Sequence, residues 1–201
     1  MEAFRRLNAT AVPIGVPNID TDQIIPARFL WRQRRDGFGH LLFHDLRFND
    51  GGALEPDFVL NHEVYRDARI LVADRNFGCG SSREHAVWAL YDYGIRAVVA
   101  PSFGDIFCNN SFQNGLLPVV LPAERVAALR VLLEQSPGSR VTIDLEAQTV
   151  TGPDGVVDRF EIDAFRKECL LAGTDDISFT LAQLERIAEF ETAYEAKVRW
   201  L

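Results

Sequence analysis

The chain has 201 residues, 47% of them hydrophobic and 25% charged, with a formal net charge of −8 and a pI near 5.0. That length carries one compact domain with a real core. The acidic balance argues against a general nucleic-acid or anionic-membrane surface, since both need a cationic footprint, but it admits an anionic small molecule, because a few arginines in a cleft reverse the local field.

Cys79, Cys108 and Cys169 are widely spaced and form no C-x-x-C pair, which reads as reduced thiols in a cytoplasmic protein. The opening MEAFRRLNATAVPIG lacks the apolar run of a secretory signal, and no stretch reaches membrane-spanning length. An apolar run predicts a strand over 11–16. Asn18-Ile-Asp-Thr-Asp22 reads as a polar turn before Pro26, which suits the first turn of a short helix over 27–31. Residues 32–69 are the least regular part, with turn signals at 33–37 and 49–52 and a short helix over 39–46. Long charged segments of this kind are often functional lids or mobile loops.

From residue 69 the pattern sharpens. Buried strands are predicted at 70–73, 97–100 and 117–121, alternating with helices over 82–93 and 103–114. In the first of these helices Ala86, Ala89, Leu90 and Tyr93 recur on one face, and Gly94 ends it. Strand–helix repetition with short connections implies parallel pairing through right-handed crossovers. A further helix covers 123–135. Strands at 140–145, 149–151 and 156–162, with a turn at Pro153-Asp-Gly155, make a hairpin-rich unit. Asp163 caps a helix to about 171, ended by Gly173. A long charged helix over 180–199 is either a docking element or a solvated cover. The expected fold is α/β: a partly parallel sheet with β-hairpins in one domain over 1–201, with a helical C-terminal extension from about 174.

The chemistry concentrates in NFGCGSSREHA at 76–86, which follows a buried strand and opens a helix. Gly78 and Gly80 permit a tight turn and close approach to a ligand. Ser81, Ser82 and Arg83 would sit at the helix N-terminus, where free N–H groups favour negative charge and Arg83 adds a grip on a carboxylate. The same spacing also fits a capping box with Ser81 as the cap and Glu84 at the third helical position. His85 reads as a structural or surface histidine. A phosphate loop is weakly supported, because the lysine of a P-loop is missing.

That stretch resembles the signature of the swivelling domain of the aconitase superfamily. NIDTDQIIPARFL at 18–30, DFVLN at 57–61, PSFGDIFCNNSFQNGLLP at 101–118 and IDAF at 162–165 are similar, in order, to the small subunits of the bacterial 3-isopropylmalate dehydratase family. The resemblance implies an aconitase-like swivelling β/β/α domain. It implies a hydro-lyase active only with a large subunit, whose [4Fe–4S] cluster binds the substrate through an iron with an open position; no cofactor is expected on this chain. In that pattern Ser81 takes the substrate proton as an alkoxide, Ser82 and Arg83 hold substrate carboxylates, and Asp22 is an active-site aspartate. A basic residue is placed near Arg28, a candidate for carboxylate binding, and the loop with Arg34 and Arg35 contributes to discrimination of the substrate side chain. Cys79, beside the base, reads as a buried or half-buried thiol. The implied reaction is the dehydration and rehydration of 2-isopropylmalate to 3-isopropylmalate in leucine biosynthesis. Related small subunits serve citraconate, methyl-substituted maleates or homoaconitate. A non-catalytic anion-binding module is the reading from a different class.

Overall fold

A computed structural model describes residues 1–198; Arg199, the last residue of the predicted C-terminal helix, lies outside them. Strands β1 (Arg6–Ile14), β2 (Ile70–Ala73), β3 (Ala97–Ala100), β4 (Leu117–Val120), β5 (Arg140–Asp144), β6 (Thr149–Thr151) and β7 (Val157–Arg159) form one sheet in the order β4-β3-β2-β1-β5-β6-β7. β1 is shared by two halves. On one side it runs parallel to β2, with Ala11 opposite Ile70, and β3 and β4 continue in parallel. On the other it pairs antiparallel with β5, with Leu7 opposite Ile143, and β6 and β7 continue as hairpins. The expected α/β class with a partly parallel sheet is the one observed.

The strand period of two sends alternate side chains into two cores. Leu71 and Ala73 join Val12, Ile14, Val98 and Ala100 on one face, while Ile70 and Val72 join Ala11, Ala97, Val99 and Val119 on the other. Parallel strands covered on both faces read as unbroken apolar runs, which is why β2 and β3 have the bounds expected from sequence.

The helices are α1 (Thr21–Ile24), α2 (His44–Arg47), α3 (Glu84–Tyr93), α4 (Asp105–Gln113), α5 (Ala123–Gln135), α6 (Ala164–Ala172), α7 (Asp176–Leu181) and α8 (Leu184–Lys197). α3 covers the first core with Ala86, Val87, Ala89 and Leu90; α5 covers the second with Val126, Leu129 and Leu133. At α6 the Arg166 N–H donates to the Asp163 side chain (3.1 Å), and Gly173 ends the helix in the left-handed conformation, as the sequence predicts.

Several boundaries differ from expectation. β1 starts at Arg6 and stops at Ile14, because Arg6–Thr10 pairs with β5, while Val16 is exposed. The 18–22 turn includes the start of α1. Asp20 accepts from the Gln23 N–H (2.8 Å), and the Gln23 side chain accepts from the Asp20 N–H (3.0 Å), closing a capping box. The 27–31 helix is a single 3-10 turn, Ala27–Phe29. The predicted 180–199 helix is replaced by α7 and α8, broken at Ala182 and Gln183.

The largest difference lies in residues 32–69. Phe38, Leu41, Leu42, Phe43, Leu60 and Tyr65 are buried in the first core, so this segment is an integral wall of that core and not a loose lid. The predicted 39–46 helix breaks because Phe43 adopts the left-handed region (φ 50), where it caps α2 and donates its N–H to the Ile24 carbonyl (2.8 Å). That conformation costs about 1–2 kcal/mol for a non-glycine residue, offset here by a fully buried ring. Phe43→Ala is expected to lower the free energy of unfolding in urea by about 3–5 kcal/mol. A loss below about 1 kcal/mol would mean that the segment merely lies over the core.

Candidate active site

The segments that follow β1, β2 and β3 at their carboxyl ends close on one another. The Gly78 N–H donates to the Ile19 carbonyl (2.7 Å), the Thr21 N–H to the Cys79 carbonyl (2.9 Å) and the Asn18 N–H to the Arg75 carbonyl (2.9 Å). On the opposite side the Phe77 N–H donates to the Ser102 carbonyl (3.1 Å) and the Gly104 N–H to the Phe77 carbonyl (2.9 Å). Residues 76–81 therefore lie between the other two segments and prolong the parallel sheet, with bridges at Asp20–Cys79 and Phe77–Phe103. Two glycines permit this closeness. A Cβ on Gly78 (φ +72) would run into the Phe107 ring, and one on Gly104 would lie 2.6 Å from the Gly78 carbonyl oxygen. Outside the carboxyl ends of parallel strands is where α/β sheets bind ligands.

Ser81 and Ser82 are exposed at the tip of this arrangement, and neither hydroxyl makes a hydrogen bond among the described residues. The capping box expected at Ser81–Glu84 does not form. α3 begins at Glu84, Arg83 is its N-cap in an extended conformation, and no side chain caps it. The reason is tertiary: the Thr21 hydroxyl donates to the Ser81 carbonyl (3.0 Å), and the Asp20–Cys79 bridge keeps the chain extended past the point where a helix starting at Ser82 would turn. Glu84 instead accepts from the Asn114 side-chain amide (2.8 Å).

Arg83 places a cation at the positive end of α3, an unfavourable position, and Asp22 answers it. Arg83 Nη1 and Asp22 Oδ1 form an ion pair; the Arg83 side chain is 14% exposed and that of Asp22 is 55% exposed. Arg83 Nη1 is itself buried, with the Asp22 carboxylate as its charged partner. The guanidinium holds the Asp22 carboxyl below the usual carboxylate range, with the Ala27 N–H (3.1 Å) assisting, and Asp22 raises Arg83 in turn. The fold thus brings together Ser81, Ser82, Arg83 and Asp22 from segments about sixty residues apart.

Arg28 is bound to Asp45. Its Nη1 donates to Oδ2 (2.8 Å), Nη2 reaches Oδ1, and His44 Nδ1 lies 3.2 Å from Nη2. Arg28, Asp20, Asp22 and Asp45 line an open cleft of about 410 Å³ beside α1. Sequence reading missed Asp45, since no local spacing ties it to Arg28; the Asp20–Gln23 capping box was legible as D-x-x-Q. Arg34 is held against α3 by Asp92 (2.5 Å) and lies over the Trp88 ring (5.3 Å), whereas Arg35 is 79% exposed. His85 packs against Phe38 and Trp88, and burial lowers its pKa, as suits a structural histidine. Cys79 is half-buried and directs its Sγ to the Asn18 carbonyl (3.6 Å).

No group of three His, Cys, Asp or Glu side chains placed to hold a metal ion occurs among the described residues. Burial pushes the Cys108 and Cys169 thiols up. The described residues offer no set of side chains that fits an iron–sulfur cluster. No helix among the described residues is long and apolar enough to cross a membrane.

Comparison with known proteins places the chain in a family. A family model described as the aconitase C-terminal domain matches residues 1–124, and a second, LeuD_N, matches residues 127–164. A relative from Parvibaculum lavamentivorans, named 3-isopropylmalate dehydratase small subunit, is 52% identical over the whole of both chains. A relative of the same name from Rhodospirillum centenum is 53% identical over 100% of this chain and 98% of its own. A crystal structure titled 3-isopropylmalate dehydratase (leuD), from Methanocaldococcus jannaschii, matches with a TM-score of 0.66 at 27% identity, covering 92% of this chain and 99% of that one. The chain belongs to the aconitase C-terminal-domain family and, within it, to the family of 3-isopropylmalate dehydratase small subunits. Small subunits of this family work together with a large subunit.

Two outcomes follow from the site geometry. Gly104→Ala forces backbone apart at the Gly78 carbonyl and is expected to cost about 1–3 kcal/mol in denaturant unfolding; an unchanged midpoint would contradict the close approach. The Arg28 ion pair draws the Asp45 carboxyl down to about 2. A depressed carboxylate contributes stability that is full above its unfolded pKa of about 3.9 and is lost as pH falls through the folded value. NMR titration of Asp45 should therefore give a midpoint about 2, and Arg28→Ala should return it towards about 3.9.

Proposed function

We propose that this chain is the small subunit of a hydro-lyase that interconverts 2-isopropylmalate and 3-isopropylmalate in leucine biosynthesis. It acts in the cytoplasm, as a heterodimer or larger assembly with its large subunit. The observation that carries this reading is the unbonded Ser81 hydroxyl beside the Arg83–Asp22 pair, in a chain 52% identical over its full length to a named small subunit. The whole chain acts as one swivel-type domain over 1–201, with a helical extension from about residue 174.

Ser81 is the base and reacts as the alkoxide. It takes the proton from the substrate carbon, the C–H electron pair becomes the double bond, and the hydroxyl on the neighbouring carbon leaves with the C–O pair as hydroxide, for which the large subunit's cluster would supply the Lewis acid. Hydroxide adds back with the two positions exchanged as Ser81 returns the proton to the other carbon, which leaves the serine as the alkoxide again. A serine alkoxide needs a preorganised cation and exclusion of water. Arg83 supplies the cation, and a covering partner removes the water that now reaches Ser81 and Ser82. Ser82 and Arg83 hold substrate carboxylates, and Asp22 sets the Arg83 guanidinium in place. Arg28, in the same cleft as Asp22, is a further carboxylate-binding group that must share its charge with Asp45. The [4Fe–4S] cluster belongs to the large subunit.

Reconstitution with the large subunit tests the reading. The chain alone should not turn over 2-isopropylmalate, and the complex should prefer isopropylmaleate to citraconate. Ser81→Ala should leave the unfolding midpoint unchanged, because the hydroxyl makes no bond, and should lower kcat by at least about 100-fold. Wild-type turnover by that complex would reject Ser81 as the base; a preference for citraconate would reassign the substrate.

A further inference from the structure

The buried polar side chains among the described residues are Thr21 and Ser111. Ser111 returns its hydroxyl to the Phe107 carbonyl one turn earlier in its own helix (2.8 Å). Thr21 reaches across the fold, its hydroxyl donating to the Ser81 carbonyl sixty residues away (3.0 Å). The Thr21 N–H also donates to the Cys79 carbonyl (2.9 Å), so one residue grips both ends of the Cys79-Gly80-Ser81 step. Gly80 in the middle is left-handed (φ +94). Glycine tolerates many conformations there and does not fix the direction of the next residue; the two bonds from Thr21 do. A valine would fill the same buried space without the cost of desolvating a hydroxyl. The hydroxyl therefore has its use in the bond to Ser81.

The neighbouring residue, Asp22, pairs with Arg83, so the 20–22 turn holds positions 79, 81 and 83 from one side. The Ser81 hydroxyl has no bond of its own among the described residues, and its placement follows from the backbone that Thr21 holds.

We propose that Thr21 is a positioning residue for the reaction: its hydroxyl, by bonding the Ser81 carbonyl, sets the orientation in which the Ser81 side chain meets the substrate proton. This rests on the reading of Ser81 as the base. Misplacing a reacting group by about 1 Å costs about 100-fold in rate, so a lost backbone bond at this point acts on kcat more than on binding.

The test compares variants of the full chain, reconstituted with the large subunit, on 2-isopropylmalate. Thr21→Val keeps the shape and loses the donor; kcat should fall about 10- to 100-fold, with KM changed by less than about twofold. Thr21→Ser keeps the donor and should return kcat to within about threefold of wild type. Wild-type kcat in Thr21→Val, or a Thr21→Ser variant as slow as Thr21→Val, overturns the proposal. Adding Thr21→Val to Ser81→Ala should lower the residual rate no further, and an additional tenfold loss, about tenfold being 1.4 kcal/mol, would assign Thr21 a general structural role instead. If Thr21→Val does not bind the large subunit, Thr21→Ala replaces it with the same expectations. Ser81→Ala alone separates the two ideas: full activity there removes the base itself, whereas an inactive Ser81→Ala beside a fully active Thr21→Val removes only the positioning role.

Discussion

The site depends on the backbone hydrogen bonds that lock residues 76–81 between the segments at 18–21 and 102–104. Three connections that leave neighbouring parallel strands are drawn into a continuation of the sheet. Such bonds have fixed length and direction, so they transmit the rigidity of the fully buried strands β2 and β3 to residues that are themselves exposed. Ser81 and Ser82 stand at the end of that rigid segment. The arrangement requires bare backbone at Gly78 and Gly104, where a methyl group would meet the Phe107 ring or the neighbouring carbonyl.

Much of this was legible in the sequence where one physical signal dominated. β2 and β3 have their predicted ends because they are buried on both faces and carry no competing polar pattern. α5 matches because its start and stop are both local. The motif around Ser81 was recognisable as residues, but the course of its backbone was not. Spacing alone suggested a capping box, and a tertiary bond from Thr21 overrode it. The segment over 32–69 looked like a lid because its apolar residues have no regular period. Its burial follows from turns that bring Phe38, Phe43 and Tyr65 inward one at a time, and the left-handed Phe43 has no signature that composition reveals. Ion pairs such as Arg28 with Asp45 and Arg83 with Asp22 join residues whose separation carries no message before folding.

The charge arrangement fits a subunit that completes a site on another protein. The chain as a whole carries −8, yet its candidate site gathers Arg83 and Arg28 at an open edge, each already matched by one carboxylate. Matched pairs hold each guanidinium in one place at an exposed edge. The aspartates thus keep the arginines in position in the chain by itself.

β1 has a further consequence, for how the protein is made. It leaves the ribosome before the other six strands, yet its two neighbours are distant in the chain: Ala11 pairs with Ile70, and Leu7 with Ile143. Closing such long loops slows folding. During synthesis one edge of β1 can be covered once β2 appears, but the other remains a row of unsatisfied amides and carbonyls until β5 has emerged. An open edge of that kind invites pairing with the wrong strand. The strand that unites the parallel and antiparallel halves in the finished molecule is therefore the one most exposed to misassembly in the nascent chain, and the antiparallel hairpins serve as the late-arriving guard of its edge.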